Sequence, residues 1–252
     1  NLCIKNDASY HDMYYMNPPA KELSKMADSD KVKKVQKDFE AAHVHPERLM
    51  KALFTDEAYV KANVDGARLM RRLFDLACNM QSHDTDMQLY SLFTDEECYD
   101  LWSCNNLYWY LTHASSPVTD CLMPYREAEL LRNILDTADS ALKDGKNQAT
   151  LRFGHESCLL PLVALLELNH YGESYPDIEK LSEQWRAYDI FPMASNVQFV
   201  FFHKKGNSDV LVKVLLNEKE TKLPVKTDVA PYYHWKDVES YYREKLNKYQ
   251  HI

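Results

Sequence analysis

Between Asp65 and about Met80, apolar residues recur at helical spacing. Leu69, Leu73, Leu76 and Ala77 line one face, and Arg68, Arg71 and Arg72 lie on or beside the other. The stretch predicts a strongly amphipathic helix. A helical, heavily charged pattern also runs from Ala20 to about Ala42. Pro46 starts a short helix, and Thr55-Asp56-Glu57 caps another. Thr94-Asp95-Glu96-Glu97 is a further N-terminal signature, leading into an aromatic helix with Trp102, Leu107, Tyr108 and Trp109. Residues 20–115 therefore read as all-helical.

The second half alternates in type. Arg126 to about Leu142 is helical, with Leu130, Leu131, Ile134 and Ala138 in register, and it stops at Asp144-Gly145. Thr150, Leu151 and Phe153 are β-formers and predict a buried strand that breaks at Gly154. The apolar run Cys158 to Leu168 follows as a helix, with Pro161 expected in its first turn. Ser195–His203 and Asp209–Leu216 predict two strands, and Trp235–Tyr249 a final amphipathic helix. The fold class is α/β: part of a central sheet flanked by helices, with a mostly helical insertion. The expected division is a helical subdomain over 1–120 and an α/β portion over 121–252.

The junction at His155-Glu156-Ser157 carries the most specific chemistry. A helix N-terminus presents N–H groups without intrahelical partners and a partial positive charge, and both stabilise an oxyanion such as phosphate. His155 can donate a hydrogen bond to that anion. Glu156 can donate a proton if burial raises its pKa. The competing explanation is local capping of the helix by Glu156 and Ser157.

Composition narrows the alternatives. The chain has 252 residues, 45% hydrophobic and 27% charged, as in an ordinary globular protein. A formal net charge of −8 argues against a general nucleic-acid binder. Nowhere does the sequence approach the roughly 20 apolar residues of a membrane span. With five glycines there is no Walker-type or dinucleotide fingerprint. Cys3, Cys78, Cys98, Cys104, Cys121 and Cys158 include no CxxC pair. A bridge from Cys98 or Cys104 to Cys121 and buried free thiols are both open. His11 with Asp12 reads as a surface histidine in an aromatic loop rather than a catalytic pair, and His43-Val44-His45 has no third ligand at metal spacing. Lys31, Lys33, Lys34 and Lys37 read as a solvated helix face.

Phe153-Gly154-His155-Glu156-Ser157 followed by Leu159-Leu160-Pro161-Leu162 resembles the second signature of the histidine acid phosphatase family, closest to its inositol-polyphosphate phosphatases (phytases). Asn196–Phe201 through Val210–Glu218 resembles that family's closing hairpin. The resemblance covers about residues 100–250. It implies a phosphomonoesterase acting on phytate or other inositol phosphates through a phosphohistidine, with no cofactor or metal. His155 would hold the phosphate, Glu156 would protonate the leaving alcohol, and Ser157 would be a substrate contact. It further implies a secreted or periplasmic location.

Two departures stand out. The nucleophile motif Arg-His-Gly-x-Arg-x-Pro does not occur in the chain. The resemblance therefore implies an N-terminal segment, outside this chain, that carries it. Glu156 directly follows His155, whereas inositol-phosphate relatives often place Glu one position later, where Ser157 stands. Both departures suit an alternative, a non-catalytic phosphate-ligand-binding protein on the same fold.

Overall fold

The computed structural model describes residues 21–145 and 149–249. Cys3, His11 and Asp12 lie outside the described residues. The chain forms two compact units, one of residues up to Val32 and from Trp109 onward, the other Lys33–Tyr108. This is a division by packing, whereas the one expected at residue 120 is a division by secondary-structure content.

The Lys33–Tyr108 unit is helical. The charged stretch expected as one helix is two, α1 (Lys21–Ala27) and α2 (Asp30–His43), and the second continues into this unit. The break falls at Asp28-Ser29, where the Ser29 hydroxyl accepts from Val32 N–H at 3.4 Å. Next come α3 (Glu47–Leu53), α4 (Glu57–Asn63) and α5 (Gly66–Asn79). Asp56 and Asp65 cap the last two, accepting from Tyr59 N–H at 2.9 Å and Arg68 N–H at 3.0 Å. The buried face of α5 is Met70 and Ala77, flanked by Ala67, Leu73 and Phe74, and Leu76 is 52% exposed rather than in the core. Leu76 is one residue before Ala77, a 100° step that carries it off the stripe.

α6 (Asp95–His113) begins with a complete capping box, Glu97 N–H to Thr94 Oγ1 at 3.1 Å and Thr94 N–H to Glu97 Oε2 at 2.9 Å. Arg48 grips the same Glu97 carboxylate at 2.7 and 2.5 Å. That contact holds Glu97 below its usual pKa.

The other unit is mixed α/β. Its sheet centres on β2 (Val210–Leu216), which pairs antiparallel with β1 (Val197–His203) from Val197↔Leu216 to His203↔Val210. β3 (Lys219–Glu220) and β4 (Tyr233–His234) pair with opposite ends of β2. Asn217 and Glu218, both at positive φ, make the tight turn from β2 to β3. Val212, Val214 and Leu216 alternate inward, and α11 (Trp235–Tyr249) packs on the sheet.

α7 (Ala128–Asp144) ends at Gly145 in the left-handed region, φ +63°. α8 (Glu156–Leu165) is apolar all round, with every residue from Leu160 to Leu165 buried. Two short helices follow, α9 (Leu181–Gln184) and α10 (Ala187–Ile190). Pro161 falls in the second turn of α8 rather than the first, so its missing N–H deprives the Ser157 carbonyl of an intrahelical partner.

The carboxyl end of α8 is closed without remainder. Glu167, at φ +53°, occupies the left-handed position, with Glu167 N–H to Ala164 O at 3.1 Å and Leu168 N–H to Val163 O at 3.2 Å. α11 supplies the remaining donors: Lys245 Nζ to Leu165 O and Tyr242 Oη to Leu166 O, both at 2.7 Å. The Glu167 carboxylate in turn accepts from Tyr241 Oη at 2.5 Å and pairs with Lys245 at 3.1 Å. Gly172 backs this closure, since a Cβ there would lie 2.8 Å from Glu167 Cα and 2.9 Å from Ala164 O.

Tyr242→Phe leaves a buried carbonyl without its donor, and urea unfolding should show a loss of about 1–3 kcal/mol. Gly172→Ala should cost at least as much, because backbone must move to admit the methyl group.

Candidate functional site

The segment leading into α8 is not a strand. Residues 149–155 have no ladder partner among the described residues, and Leu151 and Phe153 are 75% and 83% exposed. A strand exists only when a neighbour takes its hydrogen bonds, and β1–β4 do not reach this segment. Gly154 does not take the left-handed φ that demands glycine. Arg152 ties the segment to α7, donating to Asn133 Oδ1 at 2.6 Å and Thr137 Oγ1 at 2.9 Å.

His155 is the N-cap of α8, extended at φ −117° and ψ 161°. Its carbonyl accepts from Cys158 N–H at 3.0 Å and Leu159 N–H at 3.1 Å. Its ring makes no capping bond. The N–H groups of Glu156 and Ser157 precede the first hydrogen bond of the helix. His155 and Glu156 are exposed and Ser157 is half-buried, so the three residues are adjacent on an open helix end. A general acid needs a sheltered carboxyl, and the described residues leave Glu156 open to solvent.

Behind this end lies a buried polar cluster that sequence reasoning missed. Glu127 closes the short helix Met123–Glu127, which packs along α8, and is 0% exposed. Neither of its carboxylate oxygens has a hydrogen-bond partner among the described residues. Cys158, the third residue of α8, acts on this carboxylate from that helix, with its thiol facing it. Burial pushes the Glu127 carboxyl up to about 8, against the smaller opposing pull of Cys158 and Arg126. Burial, then the Glu127 charge, pushes the Cys158 thiol up to about 12. Burial, then Arg126, pushes His113 down to about 3. Arg126 donates to Thr112 O and Ser24 Oγ, both at 3.4 Å. A signal was present: Glu127 precedes Leu130 and Leu131 by three and four residues, placing a carboxylate on the apolar stripe of α7.

Other candidates stay apart. The lysines at 31, 33, 34 and 37 are exposed, and Lys34 pairs with Asp38. Among the described residues no group of three or more His, Cys, Asp or Glu could hold a metal. His43 faces Asp100 at 3.7 Å, and His45 meets Ala42 O at 3.1 Å. Cys78, Cys98, Cys104, Cys121 and Cys158 are in no disulfide, so the bridge to Cys121 is not formed. The Cys121 thiol instead donates to Ser115 O at 3.4 Å. No described helix is long and apolar enough to cross a membrane.

Comparison with known proteins gives a consistent result. The profile of the histidine phosphatase superfamily (branch 2) matches residues 5–217. Multiple inositol polyphosphate phosphatase 1 of Homo sapiens is 31% identical over 107 residues, which are 40% of this chain and 22% of that protein. Two crystal structures of the Bifidobacterium longum multiple inositol polyphosphate phosphatase share the fold at 18% identity. The complex with inositol hexasulfate has a TM-score of 0.72, over 91% of this chain and 61% of that one. The complex with phosphate has a TM-score of 0.77, over 94% and 63%. The chain thus spans less than two thirds of the relatives it matches.

Glu127 has a stability consequence of definite sign. Its folded pKa of about 8 lies above the ordinary 4.5, so its contribution is full below about pH 4.5 and is lost as pH rises through about 8. Glu127→Gln removes that loss. In urea melts at pH 4 and pH 8, the wild type should lose roughly 4 kcal/mol more than the variant between the two conditions.

Proposed function

Because the chain belongs to the histidine phosphatase superfamily (branch 2), we propose that it is the rear portion of a phosphomonoesterase acting on inositol polyphosphates such as phytate. The observation that carries this reading is the open amino end of α8, where His155, Glu156 and Ser157 meet N–H groups that precede the first bond of the helix. The complexes of the Bifidobacterium relative with phosphate and inositol hexasulfate support the choice of ligand.

The mechanism assigns each group a task. The substrate phosphate sits on the helix end, where the dipole and the Glu156 and Ser157 N–H groups favour an anion. His155 donates to a phosphoryl oxygen, and the Ser157 hydroxyl is a further contact. A histidine from an N-terminal segment attacks phosphorus as the P–O bond to the alcohol breaks. Glu156 passes its proton to the departing oxygen and then takes one from the water that releases phosphate from the phosphohistidine. That segment also supplies what this chain leaves uncovered: a strand beside Leu151 and Phe153, and shelter for Glu156. We place the protein outside the cytoplasm, secreted or periplasmic, on the family likeness.

A second reading, a non-catalytic binder of phosphorylated ligands, is favoured by the exposure of Glu156 and its position directly after His155. Turnover separates the two. In the complete protein with its N-terminal segment, Glu156→Gln should lower kcat for phytate by about 10²–10⁴-fold, with affinity for inositol hexasulfate nearly unchanged. Unchanged turnover removes Glu156 from the donor role. Tight binding with no phosphate release by the unsubstituted protein selects the second reading.

A further inference from the structure

Glu127 is the one fully buried acid in the chain's described core, and the phosphate-site mechanism does not use it. Its carboxyl stands under the first turn of α8, facing the Cys158 thiol from that helix and the Arg126 guanidinium from its own. From α6, His113 faces Arg126. Cys158 and His113 are both held neutral around neutral pH. Arg126 carries a fixed charge. Glu127 is therefore the member of the cluster whose charge changes in that range.

The position matters because of what the helix end does. A helix N-terminus carries the equivalent of roughly half a positive charge. A full negative charge appearing beside its first turn is a change larger than that. Neither Glu127 oxygen has a hydrogen-bond partner among the described residues, so an ionised carboxylate there is compensated only in part. The Cys158 thiol and the Arg126 guanidinium take up part of that charge, and the remainder acts on the first turn of α8.

We propose that Glu127 acts through the first turn of α8 to set the affinity of the site for phosphate esters: neutral, it leaves the helix end attractive to anions, and ionised, it weakens that attraction. The inference rests on the reading of that end as the phosphate site. At an effective dielectric near 20, a unit charge several ångströms from a bound anion weakens its binding roughly tenfold or more.

The test is calorimetric binding of inositol hexasulfate, whose sulfate esters keep their charge, from about pH 6 to about pH 9.5. The wild type should bind roughly tenfold more weakly at the alkaline end, with the change centred near pH 8. Glu127→Gln should show no such step. If that variant fails to fold, Glu127→Met, similar in length and uncharged, takes its place. The same pH dependence in wild type and variant overturns the role of Glu127 while leaving the phosphate site standing. No binding by either protein at any pH overturns the phosphate-site reading and this inference with it.

Discussion

The mixed unit depends on how the carboxyl end of α8 is closed. A buried helix end leaves four carbonyls to be satisfied, and each one left bare costs on the order of 1–3 kcal/mol. Here the backbone of Glu167 and Leu168 takes two of them, and Lys245 and Tyr242 of α11 take the others. The closure forces Glu167 into the left-handed region and requires that residue 172 have no side chain. It also joins residues some eighty positions apart, so α8 and α11 are fixed relative to each other by donors rather than by apolar contact alone.

The two ends of α8 are therefore opposite in character. One is saturated with protein donors, and the other ends in His155, Glu156 and Ser157 on an open surface. A helix buried along its length and pinned at its far end presents its near end with little freedom to move. That is the arrangement a preorganised anion site needs, since the dipole and N–H groups are in place before a ligand arrives. The buried acid under the first turn adds a group whose charge alters the field at that end without touching the ligand.

Much of this was legible in the sequence because it is local. The capping box at Thr94–Glu97, the hairpin from Val197 to Leu216, the helix Trp235–Tyr249 and the stop at Gly145 all follow from patterns of a few residues. The failures are non-local. Thr150 to Phe153 have the composition of a strand, but a strand is a property of a pair, and the described residues supply no partner. The donors that close α8 come from 76 and 80 residues away, and no local pattern marks Tyr242 or Lys245 for that task. Glu127 was visible as a charge on an apolar stripe, but its complete burial follows from the packing of Met123–Glu127 along α8. At the site itself, the order His155-Glu156-Ser157 and the helix start were readable, and the exposure of Glu156 was not.

The central claim is that the amino end of α8 is a phosphate site already built by this chain. Its most direct test is a titration with inorganic phosphate, followed by amide and imidazole NMR shifts. The account predicts that the largest changes fall on the Glu156 and Ser157 amides and the His155 ring, and that they vanish when His155 is replaced by Ala and α8 is shortened to begin after Ser157. Shifts that instead centre on the lysines at 31–37, with α8 unmoved, would contradict it.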